Sequence, residues 1–343
     1  MVKAIVLLSG GLDSKLAVKL LQEQNIELTG LHFNLPFGSG CCKQMCSWKF
    51  MQIEGIPLHI IDCAKGKEFK EYLEIIKKPK FGYGSGMNPC IDCRIFMLKK
   101  ARKLMKKEKA DFIATGEVLN ERPMSQHFKA MQIAENESGL KGKLLRPLSA
   151  KLLEETDAEK RGLVDRNKLL DIRGRRRIRQ IGLANKYKIT YPSPGGGCLL
   201  CEKEYAGKLK DLFEHKETKE EDIKLLKLGR HFRFDNEKII VGKNAEENEE
   251  LMKFEGIKFE LADVPGPTTL LRGNGKEGIE KAAQLTIYHS KYNKPHTKVV
   301  YGTRKSKISG ALKIRKDFYG GKKLNKSIFV NPLGNEEVEK LRI

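Results

Sequence analysis

Short apolar runs alternate with amphipathic segments along the first part of the chain. The run at residues 4–8 is uninterrupted and ends at a pair of glycines, and residues 12–22 then repeat apolar side chains at helical spacing. A basic segment at residues 95–109 has the same spacing. Further runs have the length and composition of buried strands, at residues 26–33, 56–61 and 111–116. Strands that alternate with helices predict an α/β fold with a doubly wound parallel sheet.

A second, smaller domain is predicted in the last part of the chain. A length of 343 residues favours two domains. Residues 151–188 continue with a basic helical pattern, and the charged residues 208–222 are typical of a helical connector. Short strand patterns follow at residues 230–242 and 257–263. We therefore expect a first domain at residues 1–214 and an α+β domain at residues 215–343.

The charge balance points to a polyanionic partner. Lys and Arg number 66 against 44 Asp and Glu, and a net charge of +22 exceeds what solubility requires. Nucleic acid is favoured over an anionic membrane because no amphipathic anchor stands out. The densest basic run is either a solvated helix face or an RNA contact, and we favour phosphate binding by its five arginines, Arg173, Arg175, Arg176, Arg177 and Arg179.

Membrane and export signals are weak in this sequence. No stretch approaches the roughly 20 consecutive apolar residues of a membrane span, and the run at residues 4–8 is short for the core of a signal peptide. We therefore expect a cytoplasmic protein with no membrane partner. In that reducing compartment the eight cysteines predict metal or redox chemistry rather than structural disulfides.

A glycine-containing turn, Ser9-Gly10-Gly11-Leu12-Asp13-Ser14, joins the first predicted strand to the first helix. Free backbone N–H groups and the positive helix end at such a turn bind anions, and glycines allow a close approach. The turn has neither the Gly-Lys-Ser/Thr of a Walker A loop nor the spacing of a dinucleotide fingerprint. Ligands of doubly wound sheets bind beyond the carboxyl ends of the strands, where Gly116 also follows a predicted strand.

This hexapeptide matches the Ser-Gly-Gly-x-Asp-Ser signature in full, and the chain resembles the PP-loop ATP pyrophosphatases. The resemblance implies that MgATP is cleaved between its α and β phosphates and that a substrate oxygen takes the adenylyl group. Asp13 would be catalytic, and the ATP-binding residues would be Ser9, Gly10, Gly11, Asp13, Ser14 and Gly116. Members of the family use either ammonia or sulfur, so the motif alone leaves amidation and thiolation open.

Two Cys-x-x-Cys pairs favour sulfur chemistry. Cys90 and Cys93 precede the basic helix, and Cys198 and Cys201 follow a loop rich in glycine and proline. This arrangement resembles the tRNA thiouridylases, and the resemblance implies catalytic roles for Cys90, Cys93 and Cys198. Glu117 departs from the family, because the 2-thiouridylases usually have His at this position.

Three uses of these cysteines stay open. Three thiolates could hold a [4Fe-4S] cluster, which leaves one iron free to bind sulfide. Zinc fits the spacing equally well, and either metal would draw its ligands from Cys90, Cys93, Cys198 and Cys201. A persulfide relay needs no metal and would use Cys198 and one of Cys90 or Cys93, each activated if a nearby Arg94 or Lys203 lowers the pKa of its thiol. Two roles stay open for Cys41, Cys42 and Cys46, which either carry sulfur or are inert. Cys63 is expected to lie in the core.

The last third of the chain resembles the NFACT-R RNA-binding domain. The similarity covers segments at residues 241–250, 263–268 and 282–291, where Gly266 and Pro267 match a Gly-Pro pair of that family. The resemblance implies that this domain binds tRNA or another structured RNA, and that the basic residues 291–323 contribute contacts to its phosphates.

Together these features predict an ATP-dependent tRNA uridine sulfurtransferase that makes 2-thiouridine or 4-thiouridine through an adenylated uridine. The sulfur donor would be sulfide, a cysteine desulfurase or a carrier protein. Two alternatives are an RNA-binding protein with a retained but non-thiolating ATP site and an ammonia-using PP-loop ligase. The absence of an obvious glutaminase segment disfavours the ligase.

Overall fold

The chain forms two compact units, Met1–Ala206 and Gly207–Ile343. The structure is a computed structural model that describes residues 1–38, 45–192, 197–303, 324 and 326–343, the side chains of residues 45 and 46 excepted. Several sequence predictions lie outside these residues, namely those for Cys41, Cys42, the Cys46 side chain, most of the glycine loop before Cys198 and much of the basic tail. The assignment of function to residues 1–214 and 215–343 stays a prediction.

The first unit is built on a five-stranded sheet in which every paired strand is parallel. Its order is β3-β2-β1-β4-β5. The strands are β1 (Lys3–Leu7), β2 (Glu27–Asn34), β3 (Leu58–Asp62), β4 (Phe112–Thr115) and β5 (Leu144–Leu145). The chain runs outward from β1 to β3 and returns to β4, so the strand order reverses between β1 and β4. This topology confirms the predicted doubly wound α/β fold, and such a reversal is where ligands bind.

Helices cover both faces of this sheet. Alternate residues of β1 point to opposite faces, so Val6 lies in one core with Leu16 of the first helix and Ile5 lies in the other with Leu98 of the fourth. The helices are α1 (Leu12–Gln22), α2 (Met45–Ile53), α3 (Gly66–Lys77), α4 (Cys90–Glu108), α5 (Phe128–Ser138), α6 (Asp157–Lys160) and α7 (Ile178–Lys186). Helix α4 begins five residues before the predicted start, which brings both Cys90 and Cys93 into its first turn.

The predicted helical pattern over residues 151–188 is wrong for most of that segment. Only α6 and α7 are α-helical, with single 3-10 turns at Ala150–Leu152 and Arg166–Lys168. The side chains of Thr156 and Asp165 each accept a backbone N–H and start a new short element. Internal caps of this kind break a segment that periodicity alone reads as continuous.

The second unit contains a six-stranded antiparallel sheet of order β11-β10-β8-β9-β7-β6. Its strands are β6 (Arg230–Phe234), β7 (Glu237–Val241), β8 (Ile257–Leu261), β9 (Thr269–Arg272), β10 (Thr297–Thr303) and β11 (Lys326–Val330). The remaining helices are α8 (Lys203–Glu214), which spans the division between the units, α9 (Glu220–Leu225), α10 (Ala245–Leu251), α11 (Lys276–Tyr288) and α12 (Asn335–Leu341). One core joins α11 to the sheet through residues such as Phe232, Phe259 and Leu285. The predicted α+β domain is thereby confirmed. Within the described part of the chain, no helix has the length and apolar character needed to cross a membrane.

Candidate nucleotide and thiol sites

The turn between β1 and α1 has the backbone of an anion cradle. Gly10 adopts φ +85°, a left-handed conformation that glycine takes without strain. Gly11 is the N-cap of α1, and no side chain caps the helix there. The Gly11 N–H donates to Ser9 Oγ at 3.3 Å, and Ser14 Oγ donates to the Gly11 carbonyl at 2.9 Å. Hydroxyls thus brace the turn, while the positive end of α1 stays open to an anionic ligand.

Gly116, the residue after β4, touches the backbone of this turn. A Cβ atom on Gly116 would lie 2.5 Å from the carbonyl carbon of Asp13 and 2.5 Å from the nitrogen of Ser14. Both obstacles are main-chain atoms, so no side chain can rotate away to relieve the contact. The loop after β4 therefore forms the second wall of the cradle.

We expect Gly116→Ala to weaken nucleotide binding at least about tenfold and to lower the free energy of unfolding by about 1–3 kcal/mol, because the methyl group pushes the turn away from β4. Calorimetric titration with an ATP analogue and denaturant unfolding would measure the two effects. The matched control is Gly182→Ala in α7, where no atom of the described part of the chain lies within 4 Å of the new methyl group. This control should leave binding unchanged and stabilise the helix by about 0.4–1 kcal/mol. Wild-type binding by Gly116→Ala would contradict the assignment of this wall.

Asp13 lies in a small network of charges at the start of α1. Its Oδ2 is 3.5 Å from Arg177 Nη2, and Arg177 Nε donates to Glu121 Oε1 at 3.0 Å. Burial, followed by the nearby Glu121 carboxylate, raises the pKa of Asp13 to about 6, while Arg177 and Arg122 act in the opposite direction. Asp13 Oδ1 is buried and has no hydrogen-bond partner within the described residues. A carboxylate oxygen left open in this way suits Mg²⁺, which prefers oxygen ligands and binds with phosphates.

Glu117, directly after Gly116, is the centre of a buried ionic network. Its carboxylate lies 2.8 Å from Arg94 Nε and 3.0 Å from Arg146 Nε, and it accepts a hydrogen bond from Thr115 Oγ1 at 3.1 Å. Burial alone would raise the pKa of Glu117, but Arg94 and then Arg146 outweigh burial and lower it. Glu117 therefore ties the loop after β4 to α4 and to the strand end at Arg146.

We expect Glu117→Gln to destabilise the protein by about 3–5 kcal/mol, because Arg94 would lose its carboxylate partner and the buried Arg146 would keep only Glu135. Denaturant unfolding monitored by circular dichroism would measure the loss. Glu137→Gln removes the partner of Lys80 at the surface and serves as the control, with an expected cost below about 1 kcal/mol. Equal costs for the two substitutions would show that the Glu117 network does not stabilise the fold.

The two Cys-x-x-Cys segments lie against each other. The Met87 N–H donates to the Leu200 carbonyl at 2.8 Å, and a Cβ on Gly86 would meet that carbonyl oxygen at 2.3 Å. Cys198 pairs with Gly38 in an isolated antiparallel bridge. The four cysteines of these two contacting segments make up the thiol cluster, in which burial and then Cys93, Cys201 and Cys90 raise the pKa of the Cys198 thiol. The structure thus brings together the two Cys-x-x-Cys segments that the sequence singled out.

Polar neighbours contact two of these thiols. Tyr72 Oη lies 3.1 Å from Cys93 Sγ, and Asn88 Nδ2 donates to Cys90 Sγ at 3.2 Å. Burial raises the pKa of the Cys93 thiol, and the Tyr72 hydrogen bond and Arg94 offset it only in part. Burial also raises the pKa of Cys198 to about 12. The activation by Arg94 that a persulfide relay needs is therefore outweighed by burial in this structure.

The predicted metal centre is not assembled in the described part of the chain. No three His, Cys, Asp or Glu side chains there are arranged to hold a metal ion. Thiolates are suitable ligands for zinc or for an iron–sulfur cluster, but their arrangement does not yet form a ligand set. The [4Fe-4S] cluster and the zinc alternative stay predictions, and no step described below depends on either.

The predicted RNA-binding arginines fall into different environments. Arg173, Arg175 and Arg176 are exposed. Arg179 pairs with Asp171 at 2.7 Å, whereas Arg177 contacts Asp13 of the phosphate loop, the cradle formed by residues 9–14. Sequence analysis missed Glu121, Tyr72 and Arg122 as site residues, and no local motif marks them, because each reaches its site through the packing of distant segments. The sequence shows that Arg177 is positively charged but not that its side chain points to the phosphate loop.

Comparison with known proteins matches part of each unit to a family model. Residues 2–156 match the family model described as the tRNA methyl transferase HUP domain, and residues 229–317 match the model of the NFACT protein RNA binding domain. The first unit thus contains a segment similar to a HUP domain, and the second contains a segment similar to an NFACT RNA-binding domain. The phosphate loop, the wall at Gly116 and the Glu117 network all lie within the matched HUP domain. The predicted PP-loop and NFACT-R resemblances are confirmed at this level.

Curated relatives of the HUP domain act on tRNA by name. The tRNA-specific 2-thiouridylase MnmA of Petrotoga mobilis is 32% identical over 132 residues, which are 34% of this chain and 35% of that protein. The probable tRNA sulfurtransferase of Methanosarcina mazei is 25% identical over 145 residues, which are 38% of this chain and 33% of that protein. The chain therefore spans about a third of the length of these relatives. A solved 4-thiouridine synthetase in complex with RNA and ATP is 20% identical, with a TM-score of 0.36 over 65% of this chain and 52% of that one.

Proposed function

We propose that the chain is an ATP-dependent tRNA sulfurtransferase. The phosphate loop binds MgATP, and a uridine oxygen of tRNA attacks the α-phosphorus and releases pyrophosphate. A sulfur nucleophile at Cys90, Cys93 and Cys198 then attacks the ring carbon that carries the adenylated oxygen, and AMP leaves with that oxygen. Uridine exchanges C=O for C=S and becomes 2-thiouridine or 4-thiouridine. The target base must leave the base stack to reach the site.

One observation carries this proposal, and it concerns Glu117 in the loop after β4. Glu117 follows Gly116, which lies against the backbone of the nucleotide cradle, and its carboxylate is 2.8 Å from Arg94 Nε. Arg94 directly follows Cys93 at the start of α4. This ion pair therefore links the wall of the cradle to the helix start that carries the first Cys-x-x-Cys pair, which supports adenylation and sulfur transfer on one base.

The proposed substrate rests on the second unit and on the names of the relatives. An NFACT RNA-binding domain supports RNA as the partner, and relatives named as tRNA thiouridylases and sulfurtransferases support tRNA among RNAs. The exposed Arg173, Arg175 and Arg176 offer phosphate contacts close in sequence to α7. ATP and Mg²⁺ are the proposed cofactors, and the sulfur donor is sulfide, a desulfurase persulfide or a carrier protein.

The decisive experiment measures AMP release and the nucleosides of tRNA in one reaction. Anaerobically purified full-length protein is incubated with unmodified tRNA, radiolabelled ATP, Mg²⁺ and sulfide. We expect AMP formation that requires tRNA, and a thiouridine detected by mass spectrometry, whose chromatographic position distinguishes the 2-thio from the 4-thio product. Parallel reactions with ammonium, or with a cysteine desulfurase and cysteine, separate the other nucleophiles.

Each outcome of this experiment favours one function. AMP and thiouridine together support the sulfurtransferase. A base that gains nitrogen with ammonium and no sulfur would make the protein a ligase. Tight tRNA binding without AMP would make it an RNA-binding protein that retains a nucleotide site.

A further inference from the structure

The segment at residues 172–177 is docked on the loop that follows β4. The Gly174 N–H donates to the Leu119 carbonyl at 2.7 Å. Ser149 Oγ bridges the two segments, since it accepts from the Leu119 N–H at 2.9 Å and donates to the Ile172 carbonyl at 2.6 Å. Ser149 is fully buried. The backbone that carries Arg177 therefore has a defined position relative to the phosphate loop.

Arg177 points into the cradle, toward Asp13 and Glu121. Its Nε and Nη2 both contact Glu121 Oε1, and its Nη2 also lies 3.5 Å from Asp13 Oδ2. The Nη1 group makes no hydrogen bond with the described residues. A quarter of the side chain is exposed, compared with about half for Arg179. Arg177 thus presents unused N–H donors beside the positive end of α1.

The contacts of Arg177 differ in strength, and the difference suggests what happens when a nucleotide binds. Glu121 holds the guanidinium through a hydrogen bond at 3.0 Å, whereas the Asp13 contact is longer, at 3.5 Å. A magnesium-bound triphosphate brings its own cation to Asp13, so the carboxylate then has another partner. Arg177 would remain held by Glu121, with donors whose planar arrangement matches phosphate oxygens.

We propose that Arg177 binds the β- and γ-phosphates of ATP, and the released pyrophosphate, rather than RNA. The inference rests on the proposed function of the phosphate loop and adds a residue that lies far from that loop in sequence. It also divides the arginine run by role. Arg173, Arg175 and Arg176 are exposed and free to meet RNA, whereas Arg177 serves the nucleotide.

The test compares ligands that contain or lack the outer phosphates. Binding of α,β-methylene-ATP with Mg²⁺, of inorganic pyrophosphate and of AMP is measured for the full-length wild type, for Arg177→Gln and for Arg177→Lys. Arg179→Gln is the matched control, because this neighbour pairs with Asp171 at the surface. Binding of tRNA is measured for the same proteins and for Arg176→Gln, and thermal unfolding confirms that each variant is folded.

We expect Arg177→Gln to weaken binding of the methylene analogue and of pyrophosphate about tenfold or more, since a charge-assisted hydrogen bond to phosphate is lost. Affinity for AMP and for tRNA should stay within about twofold, and Arg177→Lys should fall between wild type and Arg177→Gln, because it keeps the charge without the planar fork. Arg179→Gln should bind every nucleotide as wild type does. A purely structural role would weaken AMP binding in parallel.

Two results would overturn the inference. Unchanged analogue and pyrophosphate binding by Arg177→Gln, or an equal loss for AMP, would remove Arg177 from the phosphate site while leaving the proposed function intact. Failure of the wild-type protein to bind the analogue at all would instead reject the proposed function, and this inference with it.

Discussion

Replacing Asp13 by Asn is expected to abolish tRNA-dependent AMP formation, with a loss of at least about 10²-fold. Asp13 Oδ1 is buried at the start of α1 without a hydrogen-bond partner among the residues that the structure describes, and its carboxylate is suited to Mg²⁺. Asn keeps the shape of the side chain but removes its charge, so the metal-bound triphosphate loses one ligand. Release of labelled AMP measures the effect. Affinity for tRNA should stay within a few-fold, because the substitution touches no exposed arginine.

The same residue predicts how nucleotide binding depends on pH. With its pKa raised to about 6, Asp13 is ionised above pH 6 and protonated below it. Affinity for the Mg²⁺ complex of an ATP analogue should therefore fall as the pH decreases from 7.5 to 5.5. The triphosphate also titrates in this range, and Asp13→Asn, which lacks the carboxyl group, measures that contribution separately.

Asp171→Asn is the control for these experiments, because Asp171 pairs with Arg179 at the surface of the same unit. It should leave AMP formation and its pH dependence unchanged. Wild-type AMP formation by Asp13→Asn, or an identical pH profile in the two proteins, would exclude Asp13 from metal binding.

Replacing Cys93 or Cys198 by Ala is expected to stop thiolation while adenylation continues. Both thiols belong to the cluster beside the Cys-x-x-Cys turns, and neither contacts the phosphate loop directly in the described structure. AMP should still form at a rate within about tenfold of wild type, whereas thiouridine should fall below detection, because a missing sulfur ligand or nucleophile has no substitute. Nucleoside mass spectrometry and AMP release, measured on one sample, separate the two steps.

Cys63→Ala provides the matched control for the thiol substitutions. Cys63 is fully buried beside the cluster, and burial raises the pKa of its thiol to about 12. Its loss should leave both reaction steps intact. Full thiolation by Cys93→Ala or Cys198→Ala would remove that cysteine from sulfur transfer. Iron and zinc analysis of the anaerobic proteins, with an absorption spectrum, distinguishes a cluster, zinc and a metal-free relay.

Local patterns predicted the first unit well because its elements carry their own signals. Helix α1 spans the predicted residues 12–22, since a glycine pair marks its start and the apolar spacing marks its length. Helix α4 begins at Cys90 rather than at residue 95 because a helix can start immediately after Pro89, which periodicity does not register. The helix prediction for residues 151–188 is wrong for a related reason, because a hydrophobic pattern does not reveal the polar caps that interrupt the segment.

Some residues of the candidate site are predictable from the sequence and others are not. The phosphate loop and the cysteine pairs are predictable because the residues of each lie within a few positions of one another. The sequence does not predict the role of Glu117, because its partners Arg94 and Arg146 belong to separate elements that only packing brings together. Arg177 was assigned to RNA on charge alone, and its contacts with Asp13 and Glu121 are a result of the docking of two distant segments.

The amino-acid sequence alone determined the fold class, the anion-binding turn, the paired cysteines and the excess of positive charge, because periodicity, turn chemistry and composition act over short stretches of chain. Only the tertiary structure decided which arginine turns inward, which acid joins β4 to α4, and that the two Cys-x-x-Cys segments lie against each other. These contacts depend on strand order and segment docking, and the free energy that selects them comes from burial across the whole unit rather than from any single motif.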